Sequence, residues 1–508
     1  MGNTSTAVAL NRVSRVLGYS IQKGFYNPTS PNLPQRIAIL GEANHANQSN
    51  FTADTPVQIT SAGQAAVLFG WGSPIHIQAR ILFPVNGGGV SCPVYVYPQA
   101  EGSNVAQIST LTVGGASTSA TSGTLYVLVS GRSDIDGVSY AVPITAGQSQ
   151  NSVASAIGAA INAVLSSPVT NTVATNVVTS TTKWKGLSSD DTNITVIDNT
   201  GSGFTFTFAI TTHGSGVPSV ATSLANFGND WNTIVINGYG LDSTTITTLE
   251  GVNGTPDPTN PTGKYTGVIM RPFIALSGSL LDDPTSITDV TARKSQVTIA
   301  VCPAPKSLGY SFEAAANYAY KFANQLTNAP HLDIAGQSLP DMPLPASGVT
   351  FAMQSYNTRD TFVKKGCSTV DLVGGVYQIQ DFVTTYHPDG ENPPIFAKCR
   401  DIMGVDMNIY YSWKLIELLY IVDHVIANDN DIVTASNVCK PKDAKALIYS
   451  LADDVVKRAL VADATFMKNS ADVEINSTNP QRLDCTWSYK RTGNAAIVAT
   501  TVTAGFNF

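Results

Sequence analysis

Charged side chains are scarce in this chain. Asp, Glu, Lys and Arg make up 13% of its 508 residues, about half the usual share of roughly 25%, and Ser, Thr, Asn, Gly and Ala fill the deficit. A surface so poor in charge either stays in solution through hydroxyls and amides or is largely covered by partners. Runs of Lys or Arg are missing, and a net charge of −7 with a pI near 5.4 lacks the basic stripe of a nucleic-acid binder; no nucleic-acid partner is expected. Neither a charged n-region nor an unbroken apolar h-region opens the chain, which predicts no secretory signal and synthesis in a cytosol. The most apolar window, Leu415 to Ile426, carries Glu417 and Asp423. It is too short and too charged to cross a bilayer, so no membrane insertion is expected.

Paired cysteines are missing too. Cys92, Cys302, Cys367, Cys399, Cys439 and Cys485 lie far apart without a C-x-x-C pair, which argues against structural zinc. Buried free thiols are the default, and a disulfide formed after release into an oxidising medium stays open. Catalytic signatures are equally thin. There is no G-x-S-x-G, no H-E-x-x-H and no complete phosphate loop: Gly263-Lys264 is followed by Tyr265, and Pro258 stands where the loop needs its first glycine. The histidines, His45, His76, His213, His331, His387 and His424, never fall at i, i+4. His387-Pro388-Asp389 reads as a polar turn rather than a ligand set. The paired carboxylates Asp282-Asp283 and Asp453-Asp454 read as helix-start charge or a solvated face, because adjacent residues point apart on a helix. Met1 to Thr6 formally fits a myristoylation start, but no polybasic patch or second anchor supports it. No enzyme activity, catalytic residue, cofactor or metal is expected.

What the chain has is a succession of unlike segments, too long together for one compact core. Residues 1–35 read as an arm: they hold no acidic residue and end in Pro28, Pro31 and Pro34. Extended at roughly 3.3 Å per residue, such an arm reaches several tens of ångströms. Residues 36–104 read as the first part of a core. They show a strand over 36–40, helix starts at Ser61 and at Ser73-Pro74 with Ser as N-cap, and a closing strand over 93–97. Residues 105–217 read as an inserted β-rich domain, with eight charged residues between Val105 and Ala225. Thr124 to Val129 and Phe204 to Phe208 alternate as strands, and one helix is striped by Val153, Ile157, Ile161, Val164 and Leu165. This insert is expected to be the segment least tied to the rest.

Strands and helices alternate again over 218–354, the second part of the core. Strands are predicted over 233–237, 267–276 and 296–302, and helices after Asp242, over 284–293 and over 312–326. That alternation implies a mostly parallel sheet. Residues 355–480 read as a C-terminal domain where charge returns, with nineteen charged residues between Lys398 and Lys468. A buried helix is predicted over 407–426. An amphipathic helix opens at Pro441, with Ala444, Leu447, Ile448, Leu451, Val455 and Leu460 on one face. Residues 481–508 read as a terminal hairpin or arm: Leu483, Cys485, Trp487 and Tyr489 alternate with polar residues as in a half-buried strand. The fold class expected is therefore multidomain α/β, a mixed core with an inserted β-rich domain and extended N- and C-terminal arms.

The two ends carry the physical argument. Ala495 to Phe508 holds no side-chain charge, and no Lys or Pro follows Lys490. An apolar terminal strand with an open edge invites aggregation. Either it pairs inside the chain or it adds a strand to a neighbour's sheet. The residues expected to make such arm contacts are Val8, Leu10, Val13 and Val16 at one end and Ile497, Val498 and Val502 at the other.

Several runs then line up in order: Ala292 to Cys302, Tyr310 to Leu326, Gly336 to Pro345, Val370 to Tyr386 with its Thr384-Thr385 ending, Asp401 to Val425, and Arg482 to Phe508. Together they resemble the core of contractile-tail sheath proteins, and Ser61 to Pro74 is similar to the opening of sheaths from Mu-like phages. The resemblance covers roughly 36–104 and 218–508; the insert departs from it. It implies a structural subunit that forms six-membered rings stacked helically around a tail tube. On a baseplate signal the stack shortens and drives the tube through a bacterial envelope for genome delivery. The partners implied are further copies of the chain, the tube protein, and baseplate and tail terminator or neck proteins. The implied place is a virion tail assembled in the host cytoplasm. In that family the arms thread into neighbouring subunits, which favours pairing between copies here. The alternatives are the sheath of a phage-derived bacteriocin or injection apparatus, a β-rich surface adhesin, and a hydrolase with a dispersed serine site.

Overall fold

The computed structural model describes residues 31–504. At its centre is a six-stranded sheet in the order Ile299–Pro303, Ile274–Ser279, Ile234–Asn237, Ile37–Glu42, Val94–Gln99, Val57–Ile59. Every neighbouring pair is parallel except the last, where Val57–Ile59 runs antiparallel to Val94–Gln99. Runs such as Ile37-Ala38-Ile39-Leu40 and Ile234-Val235-Ile236 are buried throughout, as parallel strands covered on both faces must be. The covering helices start where side-chain chemistry dictates. Ser61 accepts from Gln64 N, and Ser73 accepts from His76 N with Pro74 in the first turn, so donors that a helix start leaves free find a partner. Ser311–Asn328 lies against Ile274–Ser279, and glycine at 278 permits the approach: a Cβ there would collide with the Ser311 carbonyl oxygen.

The central strand Ile37–Glu42 pairs with Val94–Gln99 on one side and Ile234–Asn237 on the other, so the chain between those two strands interrupts one continuous sheet. Val105 and Ser215 bridge to each other at the neck of that excursion. Beyond it lie a four-stranded sheet, Phe204–Thr212, Ile108–Gly115, Val177–Thr182, Val169–Ala174, and a three-stranded one, Ile194–Ile197, Gly123–Val129, Ala141–Ile144, both antiparallel. The helix Gln150–Asn162 closes a separate core with Val153, Ile157, Ile161, Leu111, Val127 and Val178.

The insert is not loosely tied, contrary to its composition. Trp184 packs with Ile77, Tyr310 and Phe312. Arg132 pairs with Glu313 at 2.8 Å, Ser130 Oγ donates to Tyr310 Oη at 2.8 Å, and Ser311 Oγ donates to Asp191 at 2.8 Å. A shift in composition marks where the chain leaves the sheet and says nothing of contacts made after it returns. Four further expectations are corrected. The helix expected over 284–293 is only Thr285–Thr288, ended at Asp289 where ψ swings to 34°, and a separate turn follows in which Arg293 N and Lys294 N both donate to Val290 O. The strand expected over 267–276 begins at Ile274, because Ile269 and Met270 turn back onto Thr266. Leu165 is exposed rather than on the buried stripe. The strand of the terminal hairpin spans Leu483–Thr486, paired with Asp472–Ile475, and 495–504 form no strand.

Candidate assembly interface

One helical segment grips the chain near both of its ends. It starts as a wide π-turn, Arg400–Asp406, and continues as the α-helix Met407–Tyr420. Glycine at 404 lets the wide turn press against the Pro330 carbonyl, which a Cβ would strike. Asn408 Nδ2 donates to the carbonyls of Met403 and Gly404, each at 3.1 Å, serving acceptors that a π-turn displaces from the regular ladder.

On the N-terminal side, Leu33 N donates to Asn408 Oδ1 at 2.7 Å and Arg458 Nη2 donates to Asn32 Oδ1 at 2.9 Å. Arg458 also donates to Ser412 Oγ at 2.9 Å. On the C-terminal side, Arg400 is 2% exposed; it donates to Thr492 O at 2.6 Å, Thr492 Oγ1 at 2.8 Å and His331 O at 3.0 Å. Asp406 accepts from Tyr489 Oη and Arg491 Nε, both at 2.7 Å, and from Arg491 Nη2. Burial pushes the Asp406 carboxyl up from its ordinary value, and the bonds from Arg491 and Tyr489 oppose that push. Beneath these contacts the helix Pro441–Lys457 buries Ala444, Ile448, Leu451 and Val455 with Val405, Ile409 and Val473, and Leu483, Cys485, Trp487 and Tyr489 pack onto the same core.

Past Thr492 the grip ends. Over 495–504 there is no strand, and Ile497, Val498 and Val502 are 86%, 80% and 82% exposed. Val8, Leu10, Val13 and Val16 lie outside the described residues. The hairpin Asp472–Ile475 with Leu483–Thr486 has no third strand among the described residues, so each strand keeps a row of free backbone groups. The helix expected to be buried over 407–426 instead ends in the open: Leu418, Leu419 and Tyr420 are 56%, 66% and 54% exposed. An all-round apolar helix is one that something covers, and pattern alone does not distinguish its own fold from a neighbour.

Among the described residues no three of His, Cys, Asp and Glu are placed to hold a metal ion. His387 is largely buried, with Nδ1 2.6 Å from Thr385 O and Nε2 3.0 Å from Asp289. All the cysteines are free, and burial pushes Cys92 up to about 12 and Cys485 up to about 11, which suppresses the reactive thiolate. Sequence reasoning did not single out Arg400, Asp406, Asn408 or Arg458. Their signal was faint: polar side chains within or at the edge of apolar helical stretches.

No protein-family model matches the chain, and no curated protein matches it. Among solved structures the chain is similar to a sheath tail protein of Desulfitobacterium hafniense, at 10% identity over 93% of this chain and 100% of that one, with a TM-score of 0.44. It is similar to a chain of the anti-feeding prophage baseplate in six-fold symmetrised form, at 12% identity over 97% and 100%, TM-score 0.46. It is also similar to a chain of that baseplate in its contracted state, at 10% identity over 96% and 99%, TM-score 0.48. Likeness at this level assigns neither family nor activity.

Proposed function

We propose that the chain is a subunit of a contractile tail sheath, polymerising with copies of itself as stacked rings around a tail tube. The observation that carries this reading is the grip on both chain ends. A single helix fixes Leu33 and Thr492 in place; past it Ile497, Val498 and Val502 stand exposed, and residues 495–508 hold no charged side chain. Fixed roots and an exposed apolar tail are what a subunit needs to tie neighbours together while keeping its own fold. The tail adds a strand to an open hairpin edge in the next copy, and Ile497, Val498 and Val502 make contacts there, as Val8, Leu10, Val13 and Val16 do in the opposite arm. Each cross-strand pair contributes only about 0.2–1 kcal/mol, but the joint repeats in every subunit. Head-to-tail joints of this kind build open helices. Subunits then rotate as rigid bodies with the arms as tethers, giving two lattice states.

Tube, baseplate and terminator or neck proteins are the further partners in this reading, and a virion tail is its place. An injection apparatus derived from a phage would use the same mechanics; capsid genes beside this one decide between them. Negative-stain microscopy of the purified chain tests the class. Rings or striated tubes are expected, and a protein that stays monomeric at every concentration refutes it.

A further inference from the structure

The dipeptide Asn-Gly occurs three times in the chain, at Asn86-Gly87, Asn237-Gly238 and Asn253-Gly254. Glycine after asparagine favours attack of the backbone on the side chain, because no Cβ crowds the approaching nitrogen and the backbone there turns freely. By sequence the three sites are equivalent; the fold separates them.

Two are locked. Asn237 and Asn253 are wholly buried. Asn237 Nδ2 donates to Gly240 O and Ser277 Oγ, each at 3.0 Å, and its Oδ1 accepts from Tyr239 N at 3.1 Å. Asn253 Nδ2 donates to Phe273 O at 3.0 Å and Thr298 Oγ1 at 2.9 Å, and its Oδ1 accepts from Phe273 N at 2.9 Å. The following nitrogens are tied as well, Gly238 N to Leu40 O at 2.9 Å and Gly254 N to Glu250 O at 2.8 Å. Either site reacts only when the central layer opens, which costs much of the global stability.

Asn86 is the opposite case. It stands exposed in a turn between the helix Pro74–Leu82 and the strand Val94–Gln99. Gly87 N makes a single turn bond, to Pro84 O at 3.1 Å. Nothing lies within 4 Å of where a Cβ on Gly87 would stand, so the approach is open. Past the turn the chain is pinned again, by Tyr320 Oη donating to Gly88 O and Val90 N donating to Leu82 O at 2.9 Å. The turn therefore opens without disturbing the core, at the low-cost end of local unfolding.

We propose that Asn86 is a self-modification site, where the folded chain converts a side-chain amide to a carboxylate without an enzyme. Gly87 N loses its proton to solvent base and attacks Asn86 Cγ. The new C–N bond closes a five-membered imide, the Cγ–Nδ2 bond breaks and ammonia leaves. Water then adds to either imide carbonyl, giving aspartate or its backbone-rerouted isomer. Net, one amide and one water become one carboxylate and ammonia, and no oxidant or reductant is needed. The chain thus gains negative charge with age beside the C-terminal end of the helix Pro74–Leu82. The inference does not depend on what the chain assembles with.

The test incubates the folded full chain at mildly alkaline pH and follows its tryptic peptides by mass spectrometry with fragment sequencing. Asn86 falls in peptide 81–132, and the other two sites fall in peptide 186–264. In the folded chain, replacement of nitrogen by oxygen is expected at Asn86 at least about tenfold faster than at Asn237 or Asn253. In denaturant the three rates are expected to converge. Asn86→Gln, which would have to close a larger ring, should abolish the gain in peptide 81–132 and leave the unfolding midpoint in place. Equal rates at the three sites of the folded chain, no gain at Asn86, or a gain in peptide 81–132 that survives the substitution overturns the proposal.

Discussion

Glu42 closes the central strand with its carboxyl 1% exposed and no cation among its close partners. Asn104 Nδ2 donates to it at 3.3 Å from just before the neck and Ser188 Oγ bonds to it from the excursion, while Glu101 adds repulsion. Burial pushes its pKa from 4.5 to about 8. Between those values the folded chain holds a proton that the unfolded chain has released. Stability therefore falls as pH rises through that window and levels off above it, at up to about 1.4 kcal/mol per pH unit. Denaturant titrations from pH 5 to 8.5 should show the decline, and Glu42→Gln should make it shallower, leaving the part that Glu250, raised by burial to about 7, contributes; an unchanged slope refutes the assignment. The Asp406–Arg491 pair gives a second prediction. Arg491→Ala leaves a buried carboxylate alone and should cost about 3–5 kcal/mol by equilibrium unfolding, whereas Arg482→Ala, at an exposed pair, should cost less than about 1 kcal/mol. Neither buried carboxylate stood out in the sequence, because nothing in a one-letter string says what desolvates it.

At the scale of elements, legibility followed local chemistry. Ser61, Ser73-Pro74 and Pro441 marked true helix starts, since a cap acts within one turn. The alternation of strands and helices over 218–354 announced a mostly parallel sheet. The π-turn at Arg400–Asp406 was invisible, because it depends on a carbonyl at Pro330 far away in sequence. The exposed end of Met407–Tyr420 and the unpaired tail were misread or left open for one reason: apolar residues report that a partner exists, not which chain supplies it. If the tail works as an added strand, its backbone donors matter. Val498→Pro removes an N–H that Val498→Thr keeps. The proline variant should raise the concentration needed for assembly by about tenfold or more, and the threonine variant should not. Because Val498 is 80% exposed, both monomers should melt like the parent to within about 0.5 kcal/mol.

For the whole molecule, composition changes over 105–217, and Leu111, Val127, Val153 and Val178 of that stretch share a core cluster of their own. Its bonds to the central layer were not legible. Deleting it across the Val105–Ser215 neck would strip Arg132 from Glu313, which is wholly buried, and uncover Tyr310. Thermal unfolding of that deletion should drop by roughly 5 °C or more; an unchanged Tm would make the excursion a mere decoration. The larger claim is that cohesion between copies resides in the ends of the chain while the fold resides between them. Sedimentation and microscopy of the full chain beside a form lacking 1–35 and 495–508 test it most directly. The full chain should build long hollow polymers, and the trimmed form should stay monomeric with the same unfolding midpoint. Polymers of normal length from the trimmed form would contradict the account.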